Sequence, residues 1–301
     1  MSKAGDTGAF IAMASFWALN YPLVKFAIIY QSSLSLLFFR IFFAAITSFI
    51  IFRKGIHFPR DLGTNLKILV FSLLNLIFFM GFWFVGESTE SSALSSIVIY
   101  SYPVITIALS AMLLGEKLSR ARIAGTAVGF AGLILIFVQQ LFVKPGLGLV
   151  LLILAAISWS LATIFFRKYL LDVGSMTVNS LQFLYALPIV AAFVFPLHLV
   201  NFSMLTPQFL IIMIYMGALS TSIAYWIYIR LYTKYSVSEI SAFFFTVPAL
   251  SIIFSYFILK ENNTLFTYGG FALIGVGIFM SSWKSKSARN EKMADVSSEE
   301  A

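Results

Sequence analysis

The chain has 301 residues, of which 60% are apolar or aromatic and 11% charged, with a mean hydropathy of +0.95 and a formal net charge of +8. Soluble domains carry about half apolar and about a quarter charged residues, so this excess of apolar surface cannot be hidden in one water-soluble core. An ordinary cytosolic enzyme, a disordered chain and a nucleic-acid binder are excluded, and with no cysteines and only His57 and His198, so are disulfides, thiolate catalysis and a His-built metal site.

Helices that cross the roughly 30 Å hydrocarbon layer need about 20 apolar residues. Ten stretches qualify: 8–29, 34–52, 68–86, 93–114, 123–142, 147–166, 176–195, 209–229, 240–259 and 265–283. Barrel strands would be about ten residues long and alternating, so the stretches predict helices. Span one carries Trp17 and Asn20 near its middle and Lys25 near its far end. Tryptophan prefers the membrane interface, and a central one needs a partner for its N–H or a wet cavity. Span two carries Arg40 as its seventh residue. Six residues at a rise of about 1.5 Å place it about 9 Å deep, where a charge is a functional hypothesis by default. The alternatives are snorkelling outward or tying span two to backbone carbonyls.

Span three ends before Glu87 and Glu90, which are expected at the outer mouth. Span four places Ser96, Tyr100, Pro103 and Ser110 near one face, and span nine repeats this with Ser241, Phe245, Pro248 and Ser255. A mid-span proline removes a backbone bond, so Pro103 and Pro248 are candidate kinks or hinges. Spans five and ten are glycine-rich (Gly125, Gly129, Gly132; Gly270, Gly275, Gly277), which favours close helix packing. Span six carries Trp159 and Thr163, and span eight Tyr225 and Trp226. The expected cavity set is therefore Trp17, Asn20, Arg40, Tyr100, Trp159, Thr163, Tyr225, Trp226 and Phe245. Eight spans contain no charged residue, so no carboxylate relay through the membrane is expected. Residues 284–301 read as a polar, disordered cytoplasmic tail.

Counting Lys and Arg in alternate connections gives 16 on the side of both termini and 3 on the other. The positive-inside bias then puts both termini in the cytoplasm.

The two halves also resemble each other. An offset of 142 pairs Trp17 with Trp159 and Lys25 with Arg167; an offset of 145 pairs Pro103 with Pro248, Glu116 with Glu261, Gly125 with Gly270 and Gly132 with Gly277. Spans three and eight match poorly in sequence. Five spans per half is an odd number, so the second repeat (147–283) must enter the membrane inverted relative to the first (8–142), as in many secondary transporters.

Each half ends in a proline-bearing span, a Glu turn and a Gly-rich span: SYPVITIALSAMLLGEKLSRARIAGTAVGFAGLILI and FTVPALSIIFSYFILKENNTLFTYGGFALIGVGIFM. With the early AxxxFWALNYPLVK and LSLLFFRIFFAAI, the chain resembles the EamA type of the drug/metabolite transporter superfamily. The second-half turn departs slightly, reading Leu-Lys-Glu-Asn. The resemblance implies an all-α integral membrane protein of ten transmembrane helices in two inverted five-helix repeats. It implies a carrier in the cell membrane, not an enzyme, that moves a small organic molecule by alternating access without cofactor, metal or nucleic acid. Export of amino acids or related metabolites is the first reading. A multidrug or organic-cation exporter is the runner-up, weakened by the missing buried carboxylate. A membrane-embedded lipid-linked transferase would need clustered carboxylates or histidines. The partners expected are the lipid bilayer and a small-molecule substrate, with a homodimer left open.

Overall fold

The computed structural model describes residues 4–90, 92–136, 138, 146–259 and 264–281, and the regular structure among them is all helical. The tail expected at 284–301 lies outside these residues, as does Glu261. The helical rods are α1 (Ala4–Val24), α2 (Ser33–Gly55), α3 (Leu62–Thr89), α4 (Leu94–Leu114), α5 (Arg120–Ile136), α6 (Leu147–Tyr169), α7 (Ser175–Val194), α8 (Pro207–Lys234), α9 (Val237–Ser251, continuing to Leu259) and α10 (Leu265–Ser281). Over the described residues, seven of them, α1 to α4 and α6 to α8, are long and apolar enough to cross a membrane, and the described stretches Val237–Ser251 of α9 and Leu265–Ser281 of α10 are shorter and apolar. The core sits where α3 packs along α6, α2 against α7 and α8, and α1 against α8 and α9.

Start signals set rods α3 and α8. Asp61 caps α3 by accepting the Thr64 N–H at 2.6 Å, and that bond holds its carboxyl below the usual carboxylate range. Thr206 caps α8 by accepting the Phe209 N–H at 3.3 Å, with Pro207 in the first turn. Each rod is then 11 residues of α-helix, 6 of π-helix and 11 of α-helix. Every junction of α8 lies 145 residues after its counterpart in α3, the π-helical segments being Leu73–Phe78 and Ala218–Ile223. These are the two spans whose sequences match poorly. A π-turn is a backbone feature that widens the helix, so its position recurs without its side chains recurring.

The same correspondence holds elsewhere. The helical stretches Ser33–Phe52 and Ser175–Val194 are both 20 residues long, 142 apart. Helices α5 and α10 start 145 apart, at Arg120 and Leu265. They cross backbone to backbone: a Cβ on Gly125 would meet the Gly277 carbonyl at 2.5 Å, and one on Gly132 would meet the Gly270 carbonyl at 2.8 Å. Gly275, expected in the same packing set, faces open space.

The prolines correct a second expectation. Neither kinks an unbroken helix. Rod α4 breaks at Tyr100–Ser101, and Pro103 falls in the first turn of the piece Tyr102–Leu114. Rod α9 tightens to a 3-10 turn at Ala242–Phe245, and Pro248 falls in the first turn of Thr246–Leu259. A first-turn proline sacrifices no intrahelical bond. The irregularity precedes the proline in both halves, and the two prolines lie 145 apart.

Glu116, just past the end of α4, caps a helix of the other half. Its carboxylate accepts the Val237 and Ser238 N–H groups at 2.8 and 3.0 Å, pinning the start of α9.

Candidate functional site: an aromatic cavity around Arg40

A small cavity sits between both halves. It is lined by Trp17 and Asn20 of α1, Arg40 of α2, Phe79 and Trp83 of α3, Ile99 and Tyr100 of α4, Trp159 of α6 and Tyr225 of α8. Only about 20 Å³ is open to the centre of a water-sized sphere. That is room for about one water. Trp17 and Trp159 correspond in the two halves and touch edge to face at 5.5 Å.

Arg40 is 1% exposed and is the one charged residue in the lining among the described side chains. Its Nε donates to Thr221 Oγ1 at 2.7 Å, and Thr221 in turn donates to the Met216 carbonyl at 2.7 Å, across the wide π-turn of α8. The guanidinium lies 5.6 and 5.5 Å from the ring centroids of Trp83 and Phe84, so aromatic faces offset part of the cost of burying it. Neighbouring side chains dock on the same π-segment. Trp17 Nε1 donates to the Ser220 carbonyl at 2.8 Å, Ser220 Oγ donates to Asn20 Oδ1 at 2.6 Å, and Asn179 Nδ2 donates to the Ser222 carbonyl at 3.0 Å.

The other half builds a neutral version. Gln182 stands 142 residues after Arg40 and accepts the Asn75 Nδ2–H at 2.8 Å on the π-segment of α3, while its own Nε2 donates to Asn179 Oδ1 at 3.1 Å. Arg40 grips the π-turn of α8, and Gln182 grips that of α3.

The structure thus brings Trp17, Asn20, Arg40, Tyr100, Trp159 and Tyr225 together at one cavity. Three expected members lie elsewhere. Thr163 sits one turn beyond Trp159, in a hydroxyl cluster that closes the cavity on the side of Arg167 and Lys168. There Tyr102 OH meets Thr163 Oγ1 at 3.1 Å and Tyr232 OH at 2.7 Å; Tyr228 OH also meets Thr163, and Tyr232 OH meets Ser241 at 3.1 Å. Trp226 points the other way, against Phe52 at 5.2 Å and under Arg230 at 5.3 Å. Successive helix residues are about 100° apart, so Tyr225 and Trp226 cannot both face one cavity. Phe245 fills the notch of Gly129, whose added Cβ would meet the phenyl ring at 2.9 Å. Sequence reasoning missed Phe79, Trp83 and Ile99. The i, i+4 pair Phe79 and Trp83 was a usable signal, diluted among 33 phenylalanines. The Lys25 side chain lies outside the described set.

Glu87, expected at the outer mouth, is buried against its own helix. Helix α3 runs to Thr89 rather than ending at Gly86, and Glu87 is 0% exposed, accepting the Trp83 Nε1–H.

These features define a polytopic helical membrane protein with an occluded polar and aromatic cavity. The EamA-like transporter family profile matches twice, at residues 4–138 and 146–283. The chain belongs to the EamA-like transporter family. It is similar to the "Uncharacterized transporter YvbV" of Bacillus subtilis (strain 168), 27% identical over 290 residues, 92% of this chain and 93% of that protein. It is similar as well to the "Probable amino-acid metabolite efflux pump" of Escherichia coli (strain K12), 25% identical over 278 residues, 88% and 90% of the two chains. A solved crystal structure shares the fold at TM-score 0.80 and 15% identity, covering 95% of this chain and 99% of the other.

Proposed function

We propose that this membrane transporter moves small organic metabolites, amino acids or related carboxylates, outward across the cell membrane by alternating access between two inverted repeats. The observation that carries the reading is reciprocity. Gly125 against Gly277 becomes, under the repeat offset of 145, Gly270 against Gly132, and both contacts are made. Trp17 against Trp159 maps onto itself. Contacts of this kind follow from a two-fold relation between the halves. With five rods per half, that two-fold lies in the membrane plane. Two oppositely oriented halves can exchange conformations and open one central site to either side. The cavity holds about one water, so loading a larger molecule requires it to widen. A guanidinium in the lining, with no carboxylate among the described lining residues, favours an anionic or zwitterionic substrate over an organic cation. The broken helices before Pro103 and Pro248 supply paired hinge points.

The chain has no cysteine, so single-cysteine labelling with a membrane-impermeant maleimide is a clean test. Ser119→Cys and Asp172→Cys are expected to react from the cytoplasmic side only, because both lie in lysine- and arginine-rich connections. Ile99→Cys, in the cavity lining, is expected to react from either side. Labelling of Ser119→Cys or Asp172→Cys from outside, or of Ile99→Cys from one side alone, sinks the reading.

A further inference from the structure

We propose that the indole N–H of Trp159, acting with the Arg40 guanidinium, is the donor seat for a carboxylate oxygen of the transported molecule. This rests on the carrier reading above and adds the residue that recognises the head group.

Three tryptophans line the cavity, and their N–H groups have different fates. Trp17 gives its proton to the Ser220 carbonyl and Trp83 gives its proton to Glu87. Trp159 is 2% exposed, and its Nε1 is buried with no partner. A buried donor without a partner costs about 1–3 kcal/mol, so it is a feature that needs a reason. The repeat sharpens the contrast. The position equivalent to Ser220 in the first half is Asn75, yet Trp159 makes no bond there that would mirror Trp17 to Ser220. The equivalent of Asn20 is Ala162, which has no side-chain amide to rebuild the contact.

Ring geometry limits what Trp159 can offer. Tyr102 stacks on it at 3.9 Å and 17°, and Phe79 at 4.7 Å and 16°. Two near-parallel rings that close cannot share one face, so both faces of Trp159 are covered. What remains for the cavity is an edge, and the polar edge of an indole is its N–H. The space is about 20 Å³, room for about one oxygen-sized group among the lining side chains. The donors among them include Arg40 and the amide nitrogen of Asn20, whose Oδ1 already accepts from Ser220. A cation surrounded by neutral donors fits an anionic oxygen and repels an ammonium. The apolar remainder of such a ligand needs the room that opening provides.

The test uses purified protein with two probe pairs of matched shape, phenylalanine with phenylalaninamide and leucine with leucinamide. Thermal stabilisation reads binding, since a ligand of the folded state raises the melting point. Wild type is expected to respond to the amino acids and far less to the amides. Trp159→Phe is expected to keep its unliganded melting point and to weaken amino-acid binding about tenfold, the scale of one hydrogen bond to a charged group. Benzothienylalanine at position 159, which keeps the bicyclic shape without the N–H, is expected to do the same and covers the case in which Phe packs badly. Trp17→Phe is expected to do the reverse: a lower unliganded melting point with the preference for carboxylates retained. Unchanged amino-acid binding in both position-159 variants overturns the proposal. So does a wild type that does not prefer the carboxylates, including one that responds to none of the four probes. If Ile99→Cys still labels from both sides in that case, the carrier reading stands and only the seat falls.

Discussion

Gly277→Val is expected to abolish the stable fold, whereas Gly275→Ala, two residues away on the same helix, leaves it intact. A Cβ at Gly277 would lie 2.5 Å from the Gly125 carbonyl and 2.5 Å from the Gly129 nitrogen. Both are backbone atoms inside a helix, so neither can swing aside. Overpacking that side chains can absorb costs about 1–3 kcal/mol, and here the whole of α5 must shift away from α10. The shift would also break the partner contact of Gly132 with Gly270, since both contacts lie along one crossing. In lipid there is no hydrophobic drive to bring two helices back together, and association depends on this close approach. Gly275 has no atom within 4 Å of its would-be Cβ, and alanine is favoured over glycine in a helix by about 0.8–1.0 kcal/mol. Detergent-solubilised protein on a sizing column and in a thermal melt separates the two outcomes. A Gly277→Val protein that elutes and melts with wild type would show that the α5–α10 contact does not hold the halves together.

The same pair of helices shows what the sequence made legible. Glycines at a common spacing in two apolar stretches announce close packing, but not which of them face the partner. Gly275 belongs to the motif as written and not to the contact. Residues that carry a chemical oddity were the easiest to place: a tryptophan in mid-membrane, a lone arginine, an asparagine beside an aromatic. Trp17, Asn20, Arg40 and Trp159 all reach the cavity for that reason. Phe245 follows from repeat position and Trp226 from its place in span eight, and neither consideration fixes the rotation of a helix about its own axis. The equivalence of α3 and α8 was invisible because a π-segment is a backbone state that different side chains can satisfy. Asn75 and Gln182 settle one, while Thr221, Ser220 and Arg40 settle the other. Glu87 was misplaced because a hydropathy window ends at the first charge, whereas a helix ends where its backbone bonds end.

At Arg40 the order of stability and the order of affinity are expected to cross. The side chain does two things at once: Nε ties α2 to Thr221 on α8, and the guanidinium borders the cavity. Arg40→Gln loses a charge-assisted hydrogen bond of about 1.5–3 kcal/mol, and it also removes a buried charge whose desolvation costs several kcal/mol. A glutamine there copies Gln182, which sits fully buried at the equivalent place in the other half. The two changes offset each other, so the glutamine variant should melt close to wild type. Arg40→Lys keeps the charge but replaces a weakly hydrated planar fork with a strongly hydrated ammonium and has no Nε to reach Thr221. Lysine is therefore expected to be the least stable of the three. Binding of carboxylates should rank differently: wild type first, lysine weaker, and glutamine weakest by about tenfold or more, because only glutamine lacks the charge. Thr221→Val serves as the control, removing the tie while leaving the guanidinium at the cavity. It is expected to lower the melting point and to retain the preference for carboxylates over amides. If stability and affinity fall in the same order across Arg40→Lys and Arg40→Gln, Arg40 acts as a structural tie alone, and the anion-binding role must be given up.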